Sequence, residues 1–307
     1  MASGRRPPAG RRPGAGRGTR SAGAPRGTGG RERPPRRRRE PRQRGGSDLL
    51  ARIAIAVPAA IVAIIFIDLG GVAFAVFLIA IGCLCLHELY RMLHRWRPVS
   101  AVGFAALAAM VLLARTTGVR AVLEVAVIAV PVLFLLVVMR GQSRPSVSIA
   151  GTLLGVYWIG FAFAHAELLR QLPHGDGVVI DVVVGTFVGD TAAYVGGRIF
   201  GRRPLAPQIS PNKTVEGLFC GMLMAIVAVF VAGLYQAWLT QGDALVLGVA
   251  VAILAPIGDL FESLIKRDAE VKDTGQAFGA HGGALDRLDA VMFTIVAGYY
   301  IWLSIVH

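Results

Sequence analysis

From Leu49 onward the chain is divided into nine apolar stretches, approximately 49–68, 72–92, 99–114, 121–139, 147–169, 178–197, 215–239, 244–264 and 288–306. Most approach the roughly 20 residues that an α-helix needs to span the hydrocarbon core of a bilayer, and the third is the shortest. In lipid the backbone must satisfy its own hydrogen bonds, so runs of this length fold as helices. With 54% hydrophobic and only 17% charged residues, the chain exceeds what a soluble domain carries. The expectation is an all-α, polytopic integral membrane protein with about nine transmembrane helices.

The net charge of +13 resembles a nucleic-acid signature until it is located along the chain. Residues 1–46 hold 15 Arg against Glu32 and Glu40, so the whole excess lies in this segment and residues 47–307 are neutral overall. No nucleic-acid partner is expected of the neutral 47–307, and a nucleic-acid arm is the lesser reading of the tail at 1–46. Residues 1–46 are Arg, Gly and Pro in low complexity and lack the apolar surface to offset ordering, which predicts a disordered cytoplasmic tail. An electrostatic tether to anionic lipid, or a topology signal, is the role expected of it. Cys83, Cys85 and Cys220 lie within apolar runs and read as packing residues.

Basic residues are retained on the cytoplasmic side of a membrane. Nine spans with the N-terminus inside leave only Arg115, Arg120 and Arg170 of the 32 basic residues outside. The two polar segments 198–214 and 265–287 then face the same compartment and can build one site.

The later segment begins within a helix, where Asp259, Glu262, Ser263 and Lys266 share one face. Ionisable groups at membrane depth turn toward a cavity or a partner. Spacing permits a Glu262–Lys266 pair. Asp259 has no basic residue four positions before it, which favours a bound cation. Lys272, Asp273, Gly275, His281, Gly282, Gly283, Asp286, Arg287 and Asp289 follow. Glycines admit phosphate oxygens close to the backbone, carboxylates hold hard cations, and basic side chains neutralise phosphates. Zinc spacing is missing, with neither paired cysteines nor HExxH.

The earlier segment carries Asp190, Tyr194 and Arg198 as a polar stripe, for which an Asp190–Arg198 pair is one explanation, followed by Ser210, Asn212, Lys213, Thr214 and Glu216. A helix start after this group favours an anion. No Walker loop is present.

The last segment resembles the signature of the phosphatidate cytidylyltransferases (CDP-diacylglycerol synthases), carried here by Ser263, Lys266, Arg267, Lys272, Asp273, His281, Gly282, Gly283, Asp286, Arg287 and Asp289. Upstream, Asp190 to Tyr194, Gly197, Arg198, Ser210, Pro211, Lys213, Thr214, Glu216, Gly217, Gly258, Asp259, Leu260 and Glu262 are similar to the family in order and spacing. The likeness covers roughly 150–307, the expected catalytic half of a transmembrane domain at 47–307. Val215, Phe278, Gly279 and Ala284 depart from the pattern at packing positions. The tail and the first spans carry little of it.

The resemblance implies transfer of CMP from CTP to phosphatidic acid, giving CDP-diacylglycerol and pyrophosphate, at the cytoplasmic face of the cell membrane. By analogy, Asp259 and Asp286 are metal ligands for Mg²⁺, with a second cation such as K⁺ nearby. Lys213, Lys266, Arg267, Lys272 and Arg287 are expected on the phosphates. Asp190, Glu216, Glu262, Asp273, His281 and Asp289 are assigned to catalysis, and Ser210, Thr214, Ser263, Gly282 and Gly283 to substrate binding. A homodimer in the lipid bilayer is consistent with the family. Two other classes use similar residues. A polyprenol or phytol kinase transfers the γ-phosphoryl group of a nucleotide. A cation-coupled transporter also places acids in the membrane, but no internal repeat supports it.

Overall fold

The computed structural model describes residues 58–271, 274–275 and 283–306. The Arg-rich tail, Lys272, Asp273, His281 and Gly282 lie outside the described residues.

Nine helices form among the described residues: α1 Pro58–Leu69, α2 Gly71–Met92, α3 Ser100–Thr116, α4 Val119–Met139, α5 Pro145–Gln171, α6 Gly175–Phe200, α7 Val215–Leu234, α8 Gln241–Asp268 and α9 Leu285–Val306. Seven are long and apolar enough to cross a membrane, while α1 and α3 are shorter. Each expected stretch thus corresponds to a helix, and the protein is an all-α, multi-pass membrane protein. The ends moved where local chemistry dictates. Thr240 caps α8 by accepting the N–H of Asp243 at 3.2 Å, so this helix starts before 244. At the other end, α8 continues to Asp268 and carries Lys266 and Arg267 in its last turn, where cations favour the helix dipole.

Leu86, Leu107, Met110, Leu169 and Leu247 are fully buried in one core shared by most of the helices. By contrast, α4 exposes Val127, Ile128, Phe134, Leu135, Val138 and Met139. Such a surface is unsuited to water and suited to acyl chains. Where α1 ends, Arg170 donates to the carbonyls of Ile67 at 2.6 Å and Asp68 at 3.1 Å, satisfying oxygens that a helix C-terminus leaves unpaired. The three cysteines are free thiols, and Cys85 is wholly buried.

Two regions depart from regular helix. A π-helical turn, Val156–Gly160, interrupts α5. Between α6 and α7, β1 Pro204–Ala206 and β2 Ser210–Thr214 form an antiparallel hairpin, with Pro204 opposite Thr214 and Ala206 opposite Ser210.

Small residues set the distance between α6 and α7, as in many intramembrane helix pairs. A Cβ on Gly217 would lie 2.6 Å from the Ala193 carbonyl oxygen and 3.0 Å from Gly197 Cα, both backbone atoms. Gly217→Ala is therefore expected to destabilise the protein by about 1–3 kcal/mol, as overpacking does. Thermal unfolding in detergent measures this, and an unchanged Tm would show that the helices do not meet here. The close approach matters because it holds the hairpin beside Asp190.

Candidate active site

The site is centred on the second half of α8. Pro256 lacks a backbone N–H, so the Ala252 carbonyl, two turns before Asp259, loses its regular helical partner. At Gly258 the absence of a side chain lets α9 come close: a Cβ there would lie 2.7 Å from the Asp289 carbonyl oxygen. Asp259 and Asp289 are therefore brought near each other on adjacent helices. Asp289 is only 6% exposed and makes no ion pair among the described residues. Its carboxyl lies within electrostatic range of Glu262, Asp259 and Asp190.

Both polar segments converge here. Lys213, near the end of β2, places its ammonium 2.5 Å from Asp259 Oδ2. Arg267 Nε donates to the Ile209 carbonyl at 3.0 Å, docking the hairpin on the end of α8. Asp259 has no basic neighbour along its own helix; its charged partner comes instead from Lys213 of the hairpin. The expected Asp190–Arg198 pair does not form among the described residues; Asp190 lies within electrostatic range of Asp259 and Lys213.

Lys266 bridges two carboxylates. It pairs with Glu262, as i to i+4 spacing permits, and also reaches Asp286 Oδ1 at 3.0 Å. Asp286, in the first turn of α9, accepts the backbone N–H groups of Gly283 at 2.8 Å and Thr274 at 3.2 Å. It thus ties together both described flanks of the signature segment.

Two expected site residues have local structural work. Thr214 caps α7 by accepting the N–H of Gly217 at 3.1 Å. Glu216 accepts the N–H groups of Arg202 and Arg203 at 3.0 and 3.2 Å, closing the base of the hairpin. Ser210 and Ser263 are half-buried, while Arg267 and Arg287 are exposed at the helix ends.

Among the described residues, Asp190, Asp259, Glu262, Asp286 and Asp289 gather around the ammonium groups of Lys213 and Lys266. Glu262 Oε1 is buried without a hydrogen-bond partner among the described residues. The surplus of carboxylate suits a hard cation. No three His, Cys, Asp or Glu residues among those described converge into a ready cage.

An apolar groove of about 440 Å³ lies beside the polar cluster, lined by Trp158 and Phe161 of α5, Phe261 of α8, and Met292 and Phe293 of α9. Phe261 immediately precedes Glu262, and Met292 follows Asp289 by one turn.

Sequence reading missed Glu88. This residue of α2 is 3% exposed and accepts the backbone N–H of Leu285 at 2.9 Å, a contact between residues 197 apart in sequence. The signal was a lone carboxylate in the apolar run CLCLHELYRM, the feature that singled out Asp259.

A model of the cytidylyltransferase family matches residues 50–305. The chain belongs to this family. The match extends the cytidylyltransferase likeness from 150–307 into the first spans, where Glu88 resides. Among curated relatives, the phosphatidate cytidylyltransferase of Bacillus subtilis is 31% identical over 264 residues, covering 83% of this chain and 97% of the relative. That of Staphylococcus haemolyticus is 31% identical over 239 residues, covering 74% and 88%. That of Mycobacterium bovis is 29% identical over 153 residues, half of each chain. The cytidylyltransferase assignment thus spans both halves of the membrane domain.

Proposed function

We infer that this protein transfers CMP from CTP to phosphatidic acid, giving CDP-diacylglycerol and pyrophosphate for phospholipid synthesis. The observation that carries this reading is the meeting of two polar segments at one intramembrane cluster, joined by Lys213 and Asp259. A phosphate oxygen of phosphatidic acid attacks the α-phosphorus of CTP; the bond from that phosphorus to the bridging oxygen breaks, and pyrophosphate leaves. Catalysis of this kind rests on positioning and on neutralising phosphoryl charge.

The described basic residues suit that task. Lys213 and Lys266 lie inside the cluster, and Arg267 and Arg287 lie at its rim. Asp259 and Asp286 are the proposed Mg²⁺ ligands, while Asp190 and Asp289 leave carboxylate charge for a second cation such as K⁺. When bound, Mg²⁺ supplies charge neutralisation on the triphosphate and polarisation of a phosphoryl oxygen. The adjoining apolar groove offers an acyl chain a place next to the polar cluster. Arginine asymmetry supports placing the N-terminus and the site on the cytoplasmic side of the cell membrane.

Protein purified into lipid nanodiscs and supplied with CTP, phosphatidic acid and Mg²⁺ is expected to place an α-phosphate label in the lipid and a γ-phosphate label in pyrophosphate. A γ label in the lipid would instead identify a kinase. No incorporation of either label would sink the reading.

A further inference from the structure

We propose that Glu88 is a positioning residue of this enzyme, fixing the start of α9 and both described flanks of the signature segment so that Asp286 and Asp289 are held in place. The proposal rests on the cytidylyl-transfer reading for its activity readout, while its structural readouts stand apart from it.

Leu285 opens α9, so its N–H has no partner within that helix. Glu88 Oε2 accepts it at 2.9 Å, giving α9 a cap supplied by α2. The approach of the signature flanks to this carboxylate is equally close. A Cβ on Gly275 would lie 2.5 Å from Glu88 Oε1, 2.7 Å from Cδ and 2.9 Å from Cγ. A Cβ on Gly283 would lie 2.6 Å from Glu88 Cδ and 2.5 Å from Thr274 Oγ1. Two glycines therefore leave room for one buried side chain on both sides of residues 276–282. Asp286 grips the same flanks through the N–H groups of Thr274 and Gly283. The flanks are thus clasped by Asp286 on one side and Glu88 on the other.

The same face of α2 borders the acid cluster. Cys85, one turn before Glu88, is wholly buried and lies within electrostatic range of Glu262 and Asp289. Glu88 makes no ion pair among the described residues, and its Oε1 is buried without a hydrogen-bond partner there. Burying a carboxylate for one backbone hydrogen bond is unfavourable compared with an apolar side chain. Its presence is explained by the acceptor it offers to α9. At 3% exposure Glu88 is shielded from substrate, so its influence passes through the backbone of Gly283 and Leu285.

The test compares the full chain in nanodiscs with Glu88→Ala, Glu88→Gln, Gly275→Ala and the Glu88→Ala/Gly275→Ala pair. Glu88→Ala is expected to lower kcat by about 10- to 100-fold, the scale of a small misplacement of reacting groups, with the KM for CTP changed by less than about threefold. Glu88→Gln should stay within about threefold of wild type, because an amide oxygen can still accept the Leu285 N–H. Gly275→Ala should also be impaired, since its methyl meets Glu88. In the double variant that collision is gone, and activity should fall no further than in Glu88→Ala alone. Hydrogen exchange should accelerate in peptides holding Thr274–Gly275 and Leu285 while α3 to α5 stay protected.

Wild-type kcat in Glu88→Ala, losses that multiply in the double variant, a Gln variant as impaired as the Ala variant, or exchange accelerated throughout the helices would each overturn the proposal. If the wild type itself shows no cytidylyl transfer, the functional reading fails separately. The exchange pattern and the coupling of the two substitutions in Tm then still decide whether Glu88 holds the segment.

Discussion

Asp259→Asn is expected to reduce cytidylyl transfer by about 10³-fold, the upper range for losing one electrostatic contact to a transition state, while moving Tm by no more than about 3 °C. The two effects separate because of where the carboxylate sits. The Asp259 side chain is 35% exposed, so water solvates this carboxylate and the loss to folding is small, although the Lys213 nitrogen beside it is buried. Asp190 also remains within range of Lys213 to balance its charge. The phosphate-facing function has no such substitute. Asparagine keeps the shape of the side chain but provides neither the charge beside the Lys213 ammonium nor an anionic ligand for the proposed Mg²⁺. Steady-state transfer in nanodiscs, paired with Tm in the same lipid, checks both halves. A rate within tenfold of wild type would remove Asp259 from the proposed metal site; a collapse in Tm would make it a folding residue.

The parts of this molecule that were legible in sequence are those governed by one-dimensional rules. A bilayer imposes a length and a polarity on each span, so hydropathy located all nine helices even where their ends differ by several residues. Charges at membrane depth stand out for the same reason, which marks Asp190, Asp259 and Glu262. Helical spacing gave the Glu262–Lys266 pair directly. Partners across the chain were beyond those rules. Nothing along α8 indicates that Asp259 meets Lys213, because the hairpin that carries the lysine must first dock through Arg267 and Ile209. Glu216 stood out in sequence as an acid beside Lys213, but its backbone partners at Arg202 and Arg203 did not. Glu88 was hidden more deeply, since its contact with Leu285 joins opposite ends of the membrane domain. The π-helical turn in α5 has no comparable sequence mark: Val156 to Gly160 reads as ordinary apolar helix.

Lys266→Met is expected to lower both stability and turnover, and a second substitution separates the causes. Glu262 is 1% exposed and Asp286 13%, so the Lys266 ammonium is the counter-ion that lets two carboxylates remain buried side by side. Removing one member of such an arrangement commonly destabilises by about 3–5 kcal/mol, because the remaining charge is left unpaired. Adding Glu262→Gln takes away the more buried charge, while Asp286 keeps the N–H groups of Gly283 and Thr274. Most of the lost Tm should therefore return in the double variant. Turnover should not, since no ammonium remains between α8 and α9 to meet a phosphate. Thermal unfolding and cytidylyl transfer measured on the same nanodisc preparations give the comparison. Recovery of both would reduce Lys266 to a counter-ion for Glu262. Recovery of Tm alone, with Glu262→Gln by itself remaining active, would assign the ammonium to the reaction, because the fold would then be intact and only its charge toward the substrate missing.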